Sequence, residues 1–178
     1  MTRAGIEVAI ATGRMYKAAL PVAAQLGVPV PIIAYNGALI KSSSGEVLYT
    51  HYMDSAQALK LIDFFEERGW YLQTYSDDVL YVPEHNRYSK FYEDAQKVEA
   101  VAVGWEGLRG FAKSAPKLLS ITDTPEETTA RLRELEKIFG SQVEVTRSAP
   151  HFVEFMAKGV SKASAIKILT DKLNVDSA

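Results

Sequence analysis

The 178-residue chain contains no cysteine, which excludes disulfides and thiolate metal sites. Its three histidines, His51, His85 and His151, are too dispersed for a metal-binding spacing. Neither sign of charge prevails: 20 Lys and Arg stand against 22 Asp and Glu, a net charge of -2. That balance gives no broad attraction for nucleic acid or for an anionic membrane. No apolar run approaches the roughly 20 residues of a membrane span, and the opening "MTRAGIEV" lacks the apolar stretch of a signal peptide. No Ser/His/Asp arrangement suggests a catalytic triad. A cytoplasmic protein without nucleic-acid or membrane partners is the default. The 47% hydrophobic and 24% charged content is that of an ordinary globular protein, long enough for one large domain or two small ones.

What is present begins with Ile6–Ala11, an almost wholly apolar run that reads as a strand buried on both faces. A helix over Met15–Leu26 follows, ended by Gly27 and Pro29 and liable to kink at Pro21. "PIIAY" is a second buried strand, which completes a parallel βαβ unit. After the turn dipeptide Asn36-Gly37, a hairpin bends at Ser42–Gly45. Asp54–Gly69 reads as an amphipathic helix with Asp54 and Gln57 as a capping box and Leu59, Ile62, Phe64 and Phe65 inward. The strands "WYLQTY" and "VLYVP" come next. Residues 85–115 read as helix broken at Gly104, Gly107 and Gly110. "KLLSIT" is a strand, and a helix over Pro125–Phe139 is bounded by Thr124, Glu127 and Gly140. "QVEVTR" and "HFVEFM" are strands, and Ser161 opens the last helix.

Residues 47–83 and 117–156 both read β-α-β-β, which predicts one mainly antiparallel sheet with both helices on one face. The layout is α/β. A partial, Rossmann-type parallel core holds residues 1–45 and 157–178, and an inserted α+β domain with an antiparallel sheet holds 46–156.

Thr12-Gly13-Arg14 lies at the carboxyl end of the first strand, where open parallel sheets bind their ligands. A helix start there suits a phosphate, a threonine hydroxyl can donate to it, and glycine lets the backbone come close. Thr12 also reads as a plain helix cap. Lys162, after "KGVS", opposes the helix dipole unless an anion is near, and equally reads as a solvent-facing lysine. Asn36-Gly37 is either an ordinary turn or part of the same site. The aromatics Trp70, Tyr71, Tyr75, Tyr81, Tyr88, Phe91 and Tyr92 read as sheet core or pocket lining. Asp77, Asp78, Glu93 and Asp94 read as solvated surface.

The ordered set "VAIATGRMY", "IIAYNGALI" and "FVEFMAKGVSKASAIKIL" resembles the haloacid dehalogenase superfamily, and within it the Cof-type sugar-phosphate phosphatases. The resemblance implies a cap domain inserted in a Rossmann-type core, Mg²⁺-dependent hydrolysis and a small phosphorylated metabolite as partner. It makes Thr12, Gly13, Arg14 and Lys162 phosphate-binding residues and Asn36 and Gly37 substrate-binding residues. The family's first motif, Asp-x-Asp-Gly-Thr, belongs well upstream of Thr12, where the sequence holds only eleven residues, and its acidic fourth motif belongs after the Lys162 helix. No Asp-x-Asp string occurs, so the implied catalytic and metal residues are none, and the implied state is a truncated, inactive phosphatase. A core strand left without a neighbour would offer an edge for self-association. The alternative is a non-catalytic binding module derived from the cap.

Overall fold

The computed structural model describes residues 6–175; the outermost residues of the predicted core, 1–5 and 176–178, lie outside them. The chain divides into two compact units. One combines the residues up to His51 with those from Gly159 onward, and the other is the continuous stretch Tyr52–Lys158.

The first unit holds a four-stranded sheet in the order β1 (Ile10–Ala11), β2 (Pro31–Ala34), β3 (Leu39–Ser42), β4 (Val47–Thr50). Only β1 and β2 are parallel; β2–β3 and β3–β4 are antiparallel. The sheet is therefore mixed, not the parallel core expected, because tight turns join its last three strands. The strand expected over Ile6–Ala11 shortens to two paired residues. It lies at the sheet edge, with Ile6 57% exposed, so its apolar run is not buried on both faces. Helix α1 (Tyr16–Ala24) passes through Pro21 without a break.

On one side of this sheet, Ile33 and Ile40 pack against Ala165 and Leu169 of the chain's last helix. Strand alternation turns Ile32 to the opposite side. That final helix, Lys162–Leu173, is capped by Ser161, whose hydroxyl accepts from the Ser164 N–H while Ser164 reciprocates.

The second unit is a six-stranded sheet flanked by helices. In chain order its elements are α2 (Ser55–Glu67), β5 (Gln73–Ser76), β6 (Val79–Val82), α3 (Arg87–Gln96), β7 (Ala100–Ala102), α4 (Gly104–Gly110), β8 (Leu118–Ile121), α5 (Pro125–Phe139), β9 (Val143–Ala149) and β10 (Phe152–Ala157). The final helix of the first unit is then α6. Strand order is β7-β6-β5-β8-β10-β9, antiparallel except for the β6–β7 pair.

One face carries α2, α4 and α5 over a shared core of Leu61, Ile62, Phe65, Leu108, Leu135 and Phe139 with the sheet residues Leu118, Val153 and Phe155. Phe64 of α2 meets Phe139 of α5 edge to face at 5.1 Å, so these two helices lie on the same face, side by side. Burying one such side chain stabilises by about 1.5–3 kcal/mol.

Three expectations are corrected here. The first β-α-β-β echo loses its opening strand, because β4 pairs with β3 in the other sheet. Inward residues of α2 are Ala58, Leu61, Ile62 and Phe65, whereas Leu59 is 36% exposed. Residues 85–115 hold a strand, β7, that no alternation signalled, while Gly107 and Gly110 lie within α4 instead of breaking it. Asp54 and Thr124 cap their helices through their side chains, but Gln57 does not return a bond to complete the box expected with Asp54. Glu127, however, reaches back to the Asp123 N–H at 2.9 Å and not to its cap residue.

The other face of the sheet is polar within. Tyr71 donates to Gln73 at 2.7 Å, Gln73 Nε2 donates to the Tyr75 hydroxyl, and Tyr75 donates to Tyr92 of α3 at 2.8 Å. Beside them Lys117 Nζ meets Glu154 Oε1 at 2.7 Å, both side chains almost fully buried. A lone buried charge costs several kcal/mol, so each of these ions depends on the other.

Two outcomes follow from that face. Glu154→Gln should lower unfolding stability by about 3–5 kcal/mol in urea melts, and the double variant Lys117→Met/Glu154→Leu should recover most of the loss. Equal losses for single and double variants would show that the ions do not act as a pair. Burial first, and then the Tyr92 hydroxyl, push Tyr71 and Tyr75 well above the ordinary tyrosine range. Their raised values mean that this contribution to stability is complete below about pH 10 and declines as pH climbs above it, because only the unfolded chain then releases these protons. An alkaline titration read at 295 nm should show two tyrosines that ionise only together with loss of the far-ultraviolet dichroism. Reversible ionisation of all nine tyrosines near pH 10 would overturn this.

Candidate functional site

The predicted site residues lie in the first unit, on three segments that the sheet brings together. β1 delivers the chain into Thr12-Gly13-Arg14, and β2, its parallel neighbour, delivers it into Tyr35-Asn36-Gly37. The two loops are laced by backbone hydrogen bonds: Asn36 N–H donates to Thr12 C=O at 3.1 Å, and Tyr35 N–H to Arg14 C=O at 3.0 Å. Thr12 N–H continues the strand ladder onto Ile33 C=O at 2.8 Å.

Thr12 does not cap α1, whose cap position is Met15, with no side-chain bond. Its Oγ1 instead accepts from the Arg14 N–H at 3.1 Å, a short turn that fixes the loop. The hydroxyl hydrogen remains available to donate. Gly13 faces Asn36: a Cβ there would lie 2.6 Å from Asn36 Oδ1, so the loop passes the Asn36 side chain more closely than any residue with a side chain could.

The segment after β2 is not a simple two-residue turn. Tyr35, Asn36 and Gly37 all have positive φ, at 49°, 57° and 113°. Only Gly37 does so at no steric cost, and it is also where a third segment arrives. A Cβ on Gly37 would stand 2.3 Å from Ser161 C=O and 3.0 Å from the Ala165 Cβ. The first turn of α6 therefore rests directly on Gly37, which brings Lys162, the first residue of that helix, to the same end of the sheet.

Arg14 and Lys162 are both exposed, and neither side chain forms an ion pair among the described residues. The segments that carry two uncommitted cations, one donor hydroxyl and the N-terminus of a twelve-residue helix meet at one end of the sheet. Such a set can hold an anion with several oxygens.

Tyr35 had no signal in the sequence. It is 1% exposed and left-handed, and a non-glycine residue is placed there by its surroundings, not by its own preference. The aromatics of the second unit divide as the two readings allowed, with Tyr71, Tyr75 and Tyr92 buried and Phe91 half exposed. Asp77 and Asp78 form the left-handed turn between β5 and β6.

Comparison with known proteins agrees with the fold. The chain is 22% identical to the phosphatase YwpJ of Bacillus subtilis, with 97% of this chain and 69% of that protein covered. A Thermotoga maritima crystal structure superposes with a TM-score of 0.83 at 29% identity, over 97% of this chain and 64% of that one. A structure described as a subclass IIB sugar phosphatase superposes at a TM-score of 0.77 and 22% identity, covering 98% and 65%. The chain thus spans about two thirds of the length of these relatives. The model of the haloacid dehalogenase-like hydrolases matches residues 1–178. With that match running along its whole length, this chain belongs to the haloacid dehalogenase-like hydrolase family.

Proposed function

We propose that the first unit is the phosphate-binding part of a phosphatase for sugar phosphates or similar small phosphomonoesters. The observation that carries this reading is the contact of Gly37 with Ser161 C=O, which joins the α6 N-terminus to the Thr12 loop. Thr12 Oγ1–H and the Gly13 and Arg14 backbone would meet the phosphoryl oxygens, and Lys162 would neutralise their charge. Asn36 and Gly37 would border the rest of the substrate. Identity of the sugar is set by groups that meet its hydroxyls, and these six residues do not supply that discrimination.

Binding is as far as these residues go. Phosphoryl transfer needs a nucleophile and charge neutralisation, supplied in this family resemblance by paired aspartates and Mg²⁺. The sequence has no Asp-x-Asp string. Among the described residues no group of three or more His, Cys, Asp or Glu side chains could hold a metal ion. None of the six residues assigned above carries a carboxylate, so these residues do not fit Mg²⁺, and the 178-residue chain on its own is proposed to bind phosphate without hydrolysing it.

The purified chain should show no Mg²⁺-dependent hydrolysis of p-nitrophenyl phosphate or hexose phosphates. Turnover in the ordinary range of about 1–100 per second that survives a second purification step would overturn the inactivity. Inorganic phosphate should nevertheless perturb the Thr12, Gly13 and Lys162 amides in NMR titrations. Thr12→Val and Lys162→Ala should each weaken that binding about tenfold, the worth of one hydrogen bond to a charged group. Phosphate shifts unaffected by both variants would remove these residues from the site. Gly37→Ala should abolish the same shifts and lower stability by about 1–3 kcal/mol, since its Cβ must displace the backbone of α6.

A further inference from the structure

The two tryptophans of the chain both line one cleft of the second unit, well apart in sequence from every residue assigned above. Trp70 follows α2, Trp105 lies in α4, and Tyr71 and Tyr88 complete the walls. Glu84 and Asn86 stand at the opening of β6 into α3. The cleft measures about 220 Å³, smaller than a pocket for a drug-sized molecule and sufficient for one compact headgroup.

The walls are held in place from behind. Tyr71 commits its hydroxyl to Gln73 at 2.7 Å, which leaves its ring to the cleft, 5.3 Å from the Tyr88 ring. Trp70 is fixed edge-on by Phe65 at 5.9 Å. The Asn86 side-chain oxygen Oδ1 accepts from the Tyr88 and Ser89 N–H groups at the start of α3.

Charge around the cleft is unevenly settled. Arginines already lie over two of its rings, Arg131 over Trp70 at 4.0 Å and Arg87 over Tyr88 at 4.8 Å. Each of them has its own carboxylate, Glu127 at 2.6 Å and Asp123 at 2.6 Å. Glu84 has no such partner: it is exposed and forms no ion pair among the described residues. The unbalanced charge at the cleft is negative, and so are the ring faces of Trp105 and Tyr71, over which no arginine lies among the described residues.

We infer that this cleft binds an organic ammonium group, held by cation–π attraction to Trp105 and Tyr71 and by the carboxylate of Glu84, with Trp70 and Tyr88 completing the walls. Aromatic walls with one free carboxylate favour a poorly hydrated cation over a neutral or anionic group of the same size. An anion would meet π faces and Glu84 with no free donor charge to offset them. This inference is independent of the phosphate reading, which rests on other residues.

Because the cleft holds both tryptophans, indole fluorescence of the 178-residue chain reports on it directly. Choline is the probe, 3,3-dimethylbutan-1-ol its uncharged counterpart of the same shape, and glucose the test for a sugar. Choline should give a saturable change at constant ionic strength, with the alcohol about tenfold weaker and glucose without effect. Glu84→Gln, at an exposed position, should weaken choline several-fold and leave the far-ultraviolet dichroism unchanged. Trp105→Phe should weaken it as well, with calorimetry giving the same order of affinities. Equal binding of choline and the alcohol would show an apolar pocket without charge selection and overturn the inference. Saturation by glucose in place of choline would make the cleft a carbohydrate site and overturn it too, as would no saturable response to choline.

Discussion

The first unit depends on an atom that is not there. Gly37 lacks a Cβ, and Ser161 C=O occupies the space where one would stand, within 2.3 Å of its ideal position. Ser161 C=O also accepts the first main-chain bond of α6, from Ala165 at 3.0 Å. The same carbonyl thus starts the helix and seats it on the turn after β2. Ala165 and Leu169 then close over Ile33 and Ile40. Any side chain at position 37 would lift the helix start away from the Thr12 loop, together with its positive dipole end and Lys162. Core packing and anion binding are therefore coupled through one backbone contact, a coupling that carries over from stability to affinity.

The second unit solves a different problem. One face of its sheet is sealed by three helices over aliphatic and aromatic side chains, where packing alone decides. The opposite face buries hydroxyls, an amide, an ammonium and a carboxylate, where packing is insufficient and each polar group needs a partner. The chain Tyr71–Gln73–Tyr75–Tyr92 and the Lys117–Glu154 pair meet that need with short contacts from β5, β10, α3 and the residues that lead into β5 and β8. Such networks tolerate little slippage, because moving a strand by one residue would exchange this set for the apolar one on the other face. The register of the sheet is thus specified from both sides.

Much of this was legible in the sequence, and the failures share a cause. Helices with a cap and an apolar stripe, such as α5 with Thr124, Pro125 and Gly140, announce themselves locally. So did β9, with its opening Val-Glu-Val alternation, and β10, with its short apolar run. Misreadings arose where the decisive partner was distant. β4 pairs with β3 because a hairpin turn brings them together, although its sequence fits either sheet equally well. The apolar run Ile6–Ala11 has the composition of a buried strand, yet only Ile10 and Ala11 find a partner. β7 is three residues long and gains its structure from β6 alone. For the site, the threonine, glycine and lysine could be picked out as types suited to a phosphate. That Gly37 is the seat of α6, with Tyr35 held left-handed beside it, follows from the tertiary approach of residues more than a hundred positions apart.

The split composition of the first unit also orders events as the chain is made. Synthesis runs from the amino end, and domains tend to fold as units once complete. Residues 52–158 form a continuous stretch with its own core, so they can fold as soon as Lys158 has emerged. The β1–β4 sheet must wait longer, since Ala165 and Leu169, which cover Ile33 and Ile40, follow Lys158 in the chain. During that interval Ile33 and Ile40 of the β1–β4 sheet stand uncovered, and Gly37 holds open the place into which α6 docks. During synthesis this sheet, made before the second unit, is thus the place most exposed to aggregation and to chaperone capture until α6 has followed.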